Sequence, residues 1–347
     1  MKKTSIGFSG DILLHGALLS KARSQDTYNF DSMLKFANDI ISADFNVVNQ
    51  ESLAAGEEFG ISSYPFFNSP VSILEKLKDL NVGLVNVANN HMLDKGEEGL
   101  ASYLENLDKI GLSYVGASLN GDAIKYVEVN GIKVAFVSYT DGSKINIDKI
   151  KNVKVNFFKG ESYAMRMNRR LAGLKKNIKE AKKNSDFIVL SLHFGEEYFK
   201  TPSGFQKDIV STLIETDIDV FIGHHPHVLQ PIEWLENSKG KNVLVAYSLG
   251  NFFSGQTGLY RQVGCYLTVT LQKKGRRVIV DELRVTPTFV DVFNGYKLFK
   301  LKNFADSGVD LKTGKSSSFP SVDVYRKVKK HIISASLLES SLEVVYE

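Results

Sequence analysis

The chain has 347 residues, 43% of them hydrophobic and 24% charged, a composition that supports a sizeable folded core and excludes disorder. Lys and Arg number 43 against 39 Asp and Glu, and the resulting net charge of +4 is too small to point to a nucleic-acid partner. The single cysteine, Cys265, has no mate for an intrachain disulfide and cannot build a structural zinc finger; it reads as buried filler.

The basic start, Met1-Lys2-Lys3, leads directly into a short apolar strand, Ile6 to Ser9, without the apolar segment of a signal peptide. No window approaches the roughly 18 apolar residues that span a bilayer, and a cytoplasmic location is expected. A helix is predicted near Asp31 to Ser42, a strand over Phe45 to Asn49, a helix near Val71 to Leu80 and a strand over Val82 to Val87. A helix near Glu97 to Ile110 and a strand at Ser113 to Val115 follow. Tyr126 to Val129 and Lys133 to Ser138 then form a predicted hairpin across Asn130-Gly131, a dipeptide suited to a tight turn.

Residues 149 to 183 carry twelve Lys or Arg against Glu161 and Glu180, a charge run that could attract an anionic polymer. Leu171, Leu174, Ile178 and Ala181 recur at helical spacing, however, which leaves Arg169, Arg170 and the lysines on a solvated face. Strands are predicted at Phe187 to Leu192 and Val220 to Ile222, with a helix near Phe205 to Glu215 between them. Strands at Val243 to Tyr247, Tyr266 to Leu271 and Arg277 to Val285 suggest a second sheet. The alternation describes an α/β protein: one large domain over 1–287, and a small C-terminal appendage over 288–347. The appendage contains Asp306-Ser307-Gly308, Thr313-Gly314, Ser316-Ser317-Ser318 and a helical stretch near Val322 to Leu338.

Six of the seven histidines fall in four clusters: His15 near Asp11, His91 in Asn89-Asn90-His91, His193, and the run His224-His225-Pro226-His227. Imidazole with carboxylate and amide oxygen, and no thiolate, suits Mn, Fe, Zn or Mg. Asp11, Glu51, Asn90, His193 and His225 each follow a predicted strand, so they are expected to converge at the carboxyl edge of the sheet, where α/β sites form. Singly each has a bland reading, Asp11 as a helix cap and His91 as a hydrogen-bonded histidine; together they indicate a metal site.

The motifs Gly10-Asp11, Asn49-x-Glu51, Asn89-Asn90-His91-x-x-Asp94, His193-x-Gly195-x-Glu197-Tyr198, Gly223-His224-His225-Pro226-His227 and Ser248-Leu249-Gly250-Asn251-Phe252 resemble the CapA family. That family is associated with poly-gamma-glutamate capsule synthesis and is related to the calcineurin-like metallophosphatases. The resemblance implies a four-layer α/β/β/α sandwich and two divalent ions, held by Asp11, Glu51 as bridge, Asn90, His193, His225 and His227. His91 is implied as general acid. Asp44, Asp94, His224, Glu197, Tyr198 and Asn251 are expected around the ligands or substrate, Asp44 also as an alternative bridge. The phosphatase Asp-x-His reads Asp11-Ile12-Leu13 here, so one imidazole is replaced, and His15 can take its place only if the loop turns back.

The expected function is that of a metal-dependent hydrolase on a phosphoester or amide of an anionic biopolymer or its precursor. Two alternatives stand beside it: a non-catalytic polymer-binding component of capsule assembly, and a metal-dependent peptide epimerase.

Overall fold

The computed structural model describes residues 3–142, 150–158, 171–275, 277–305, 321–338 and 343–346. In chain order it begins with β1 (Lys3–Leu13), α1 (Gly16–Ala22), a ribbon of β2 (Arg23–Ser24) and β3 (Thr27–Tyr28), then β4 (Phe45–Gln50), α2 (Ser72–Asp79), β5 (Val82–Asn86) and α3 (Gly96–Ile110). Next come β6 (Ser113–Val115), β7 (Ala117–Ser118), the hairpin β8 (Ile124–Val129) and β9 (Ile132–Thr140), β10 (Lys154–Val155), α4 (Ala172–Asn184) and β11 (Phe187–His193). These lead to α5 (Gly204–Leu213), β12 (Val220–His224), β13 (Ile232–Glu236), β14 (Asn242–Ala246), β15 (Asn251–Ser254), α6 (Leu259–Gln262), β16 (Val263–Lys274) and β17 (Arg277–Asp291). The chain closes with β18 (Lys297–Lys300), α7 (Lys302–Ala305), α8 (Ser321–Ile332), α9 (Ala335–Leu338) and β19 (Glu343–Tyr346).

The first large sheet runs β18-β17-β16-β1-β4-β5-β6, with β15 beside β1 and β19 beside β17; the second runs β13-β14-β12-β11-β9-β8. Strands β1, β4, β5 and β6 are mutually parallel, as are β9, β11, β12 and β14. Alternate side chains of a strand face opposite ways, so each sheet buries two faces. Ile6 and Phe8 of β1 and Leu84 of β5 meet Val134, Val189 and Ile222 of the second sheet in a middle core. The other face of the first sheet buries Val48 and Val85 under Leu18, Leu74 and Leu104 of α1, α2 and α3. The other face of the second sheet buries Ile188, Leu190 and Val245 under Leu174 and Ile178 of α4 and Ile209 and Leu213 of α5. Three cores between four layers give the expected α/β/β/α sandwich.

Asn130 (φ 49°) and Gly131 (φ 83°) make the turn expected of that dipeptide. In α4, Leu174, Ile178 and Ala181 are buried while Lys176, Lys179, Lys182 and Lys183 are exposed, the solvated-face arrangement; Arg169 and Arg170 lie outside the described residues. The helix expected over 31–42 is instead a series of tight turns ending in a single 3-10 turn at Ala37–Asp39. The reason is tertiary: the carbonyl of Met33 accepts from Leu298 N at 2.9 Å, which takes it out of a helical ladder, while Met33, Leu34, Ala37 and Ile40 stay buried.

The late run of strands divides between the sheets. β14 joins the second, whereas β16 returns antiparallel to β1 and carries β17 and β18 into the first. The expected boundary at 287/288 falls inside β17, and β18 and β19 pair with that strand. Val328, Ile332 and Leu337 of α8 and α9 enter the middle core; the Gly- and Ser-rich part of the tail, 306–320, lies outside the described residues. Among the described residues, no helix is long and apolar enough to cross a membrane.

Candidate metal centre

The carboxyl ends of β1, β4, β5, β11 and β12 open on one buried cluster of carboxylates, amides and imidazoles. Asp11 owes its aim to a β-bulge: between the pairs Phe8–Val47 and Asp11–Asn49, β1 advances one residue more than β4. Gly10 makes room there, since a Cβ would lie 2.2 Å from the Gly250 carbonyl oxygen. Asp11 N donates to that oxygen at 2.8 Å, which fixes β1 against the start of β15.

Asp11 and Glu51 are both fully buried. Asp11 Oδ1 accepts from Asn49 Nδ2 at 2.8 Å and His224 Nδ1 at 3.0 Å, and Oδ2 lies 3.2 Å from His227 Nδ1 and 3.3 Å from the backbone N of His225. Glu51 Oε1 is 3.5 Å from His193 Nε2 and 3.5 Å from His227 Nε2. His193 Nε2 is also 3.0 Å from Asn90 Oδ1 and 3.1 Å from His225 Nδ1. Two groups of ligand atoms result, each with members within 4.8 Å of one another: Glu51, His193 and His225, and Asp11, Glu51 and His227. Glu51 belongs to both.

The electrostatics favour positive charge here. Burial alone would raise the Asp11 carboxyl, yet hydrogen bonds from His224 and His227 hold it well below the usual range. Burial disfavours a charged His227, but Glu51 and Asp11 push that imidazole up to about 9. His193 goes the other way: burial, reinforced by His225, lowers it well below the ordinary value and keeps it a lone-pair donor. Around His193 Nε2, the atoms Asn90 Oδ1, His225 Nδ1 and Glu51 Oε1 converge on one small volume. Neutral imidazole, carboxylate and amide oxygen gathered in this way are the ligands a divalent cation takes, so the donor set fits oxygen-and-imidazole metals.

His91 stands just outside the two groups. Its Nδ1 donates to Asp94 Oδ2 at 2.7 Å, its backbone N donates to Asn89 Oδ1 at 2.9 Å, and its ring packs edge-on to Phe67 at 4.7 Å. Asp94 also accepts from Phe67 N at 2.6 Å, so it orients the His91 loop. His224 touches Asp11 rather than Glu51, and Asn251 Oδ1 lies 3.0 Å from His227 Nδ1. Half-buried Glu197 acts electrostatically on His227, and the Tyr198 ring lies 6.2 Å from the His227 ring at the rim.

Asp44 is the misplaced residue of the expected set. It sits exposed at the amino end of β4 and accepts from Ser5 N at 2.8 Å, the wrong end of the strand for a bridge or an outer partner. His15 does not join either group; its Nδ1 lies 3.1 Å from Leu13 O and its ring packs edge-on to Phe67, beside His91. Asn49 and Asn89 hold Asp11 and His91 and were not singled out as site residues. The alternation Asn49-x-Glu51, which aims both along one strand edge, was the available signal for the first.

Two stacked sheets between helices, with this cluster on their carboxyl edge, define a metallophosphatase-like α/β fold. A phosphatase of known structure from Mycoplasma pneumoniae shares it, with a TM-score of 0.50 and 12% identity over 83% of this chain and 94% of that one. The chain belongs to the family described as Bacterial capsule synthesis protein PGA_cap, which matches residues 5–256. It is 29% identical over 294 residues to the PGA biosynthesis protein CapA of Bacillus subtilis (strain 168), covering 82% of this chain and 70% of that protein. It is 32% identical over 186 residues to the capsule biosynthesis protein CapA of Bacillus anthracis, covering 53% of this chain and 43% of that protein.

Proposed function

We propose that the protein is a two-metal hydrolase that cleaves a phosphoester in an anionic biopolymer or its precursor. The observation that carries the reading is Glu51, shared between two ligand groups, as a bridging carboxylate must be. Asp11, Glu51 and His227 would hold one ion, and Glu51, Asn90, His193 and His225 the other. Manganese, iron or zinc suits these donors, with magnesium less matched to imidazole. Bound ions would supply Lewis-acid polarisation of a phosphoryl oxygen and acidify a water.

The chain's own groups supply the rest. Asp94 holds the Nδ1–H of His91 and balances the charge of an imidazolium, which would give its Nε2 proton to the leaving oxygen as the phosphorus–oxygen bond breaks and remain as the neutral Nδ1–H tautomer. Asn89 and Phe67 hold that ring in place. Asn49 and His224 fix Asp11, and Asn251 fixes His227, the outer support that ligands need to keep one orientation. The capsule-biosynthesis roles of the two CapA relatives support an anionic capsule polymer or precursor as the larger substrate. Cleavage of a gamma-glutamyl amide would use the same groups, with His91 protonating nitrogen.

The test is elemental analysis by plasma mass spectrometry together with turnover on bis(p-nitrophenyl) phosphate and a gamma-glutamyl peptide. Wild type should carry two equivalents of transition metal and turn over the phosphodiester, and the His225→Ala, His227→Ala double variant should lose both properties. Failure of the wild type to take up metal on reconstitution would remove the proposal. Turnover of the peptide alone would replace ester with amide.

A further inference from the structure

On the Tyr198 side of the metal centre, two hollows of about 380 and 200 Å³ share Lys200, Val228 and Tyr260, and so form one groove. Tyr198 and Arg261 line the end nearer the centre, and Lys327 and His331 of α8 line the far end. Three permanent cations thus face the groove, and among the described residues that line it there is no carboxylate. Its floor is aliphatic, with Val228, Val263 and Val328 among the lining residues. Tyr260, Arg261, Lys327 and His331 lie beyond the family match at 5–256, so one wall is built by a part of the chain that the shared motifs do not cover.

We propose that this groove is a subsite for the continuing chain of a polycarboxylate, holding acidic groups of a polymer while its neighbouring linkage lies at the metal centre. The reading of what happens to the chain rests on the proposed hydrolase; the binding itself does not. Charge complementarity selects an anion, and the aliphatic floor suits the methylene groups between successive carboxylates. The two tyrosines argue against a nucleic acid. Single-stranded nucleic acids stack bases on open aromatic faces. Here the Lys200 ammonium sits 3.0 Å from the centre of the Tyr260 ring, and the Arg261 guanidinium 5.0 Å from that of Tyr198. The faces already carry the cations that would meet carboxylates.

The probe is a fluorescein-labelled oligoglutamate of about ten residues, long enough to cross both hollows, read by anisotropy on the metal-loaded full chain. Wild type should bind it with an affinity that falls between 50 and 200 mM salt. The Lys200→Glu, Lys327→Glu variant should bind at least about tenfold more weakly at unchanged metal content, and the milder Lys200→Gln, Lys327→Gln variant should fall between the two. Equal binding by wild type and the folded variants would overturn the subsite, as would competition by oligothymidylate as strong as by unlabelled oligoglutamate. Turnover of bis(p-nitrophenyl) phosphate separates the two readings. Its absence with intact oligoglutamate binding refutes the hydrolase and leaves the groove; its presence without such binding does the reverse.

Discussion

Replacing Asp94 by asparagine tests the role given to His91. One oxygen, Oδ2, accepts from His91 Nδ1 at 2.7 Å and from Phe67 N at 2.6 Å, and both side chains of the pair are over nine-tenths buried at 8% and 9% exposure. Alanine would leave two donors without acceptors, at about 1–3 kcal/mol each, and confuse orientation with folding. Asparagine keeps the shape and an acceptor oxygen but removes the charge. A charge-assisted bond contributes about 1.5–3 kcal/mol against about 1 for a neutral one, so the His91 contact weakens by about 1–2 kcal/mol. If that contact acts in the transition state, the loss converts to roughly 5- to 30-fold in rate. The assay is kcat on aryl phosphodiesters whose leaving phenols differ in acidity, with metal content measured beside it. Asp94→Asn should cost about tenfold or more for phenol, which needs a proton on departure, and less than about threefold for p-nitrophenol, which does not. Equal losses for both substrates at unchanged metal content would show that Asp94 does not act through a proton on His91.

Glu51→Gln should abolish uptake of both ions because both ligand groups depend on it, whereas His193→Ala should retain about one equivalent; a Glu51→Gln protein with two equivalents would refute the bridge. Gly223→Ala would place a Cβ 2.0 Å from the Tyr247 carbonyl oxygen between two backbones that cannot part cheaply, so a destabilisation of about 3 kcal/mol should appear in urea unfolding; an unchanged midpoint would contradict the packing. Burial pushes the Cys265 thiol up to about 12, so a disulfide reagent at pH 8 should label it only after denaturation, and rapid labelling of the native protein would count against its place in the core. Burial lowers the His15 imidazole to about 4, so between pH 6.5 and 4 the unfolded state holds the extra proton and stability drops on acidification. His15→Gln should flatten the Tm-against-pH curve over that window; the same slope in both proteins would remove His15 as a cause.

The sheet architecture was legible because parallel strands buried on both faces must be short and continuously apolar, as Val82 to Val87 and Phe187 to Leu192 are. The convergence of Asp11, Glu51, Asn90, His193 and His225 was legible for a related reason: residues after such strands share one edge whatever their separation in sequence. Partner choice was not legible. Tyr266 to Leu271 reads as a strand in either sheet, and only the long-range pairing of Thr268 with Gly7 assigns it to the first. Asn251 to Ser254 is four residues long, too short for a period, yet as β15 it places Asn251 beside Asp11. Asp44 shows how residue type can mislead without direction along the strand. It is seven residues before Glu51, and at ~3.3 Å per residue an extended segment of that length spans roughly 23 Å, the full depth of the sheet.

The backbone after β12 explains how a His-Pro-His sequence reaches both groups of candidate ligand atoms. In a continuing strand His225 and His227 would point to the same face and enter the same ligand group. Instead β12 stops at His224, and both histidines take left-handed conformations, His225 at φ 99° and His227 at φ 58°. Such conformations cost a non-glycine residue about 1–2 kcal/mol, so contacts around the turn have to hold them. His225 N donates to Asp11 Oδ2 at 3.3 Å, and the Pro226 carbonyl accepts from Tyr198 N at 2.8 Å, with Tyr198 itself at φ 71°. The turn sends His225 to the His193 side of Glu51 and His227 to the Asp11 side. Three such residues gathered at one candidate ligand cluster, away from the isolated turns where Gln25, Asn81, Asn130 and Tyr296 adopt positive φ, fit a site whose geometry is imposed by its surroundings rather than by local preference. The same contact from Tyr198 to Pro226 ties the rim of the cationic groove to the histidine turn, so a chain seated against Tyr198 would bear directly on the backbone that divides the two groups.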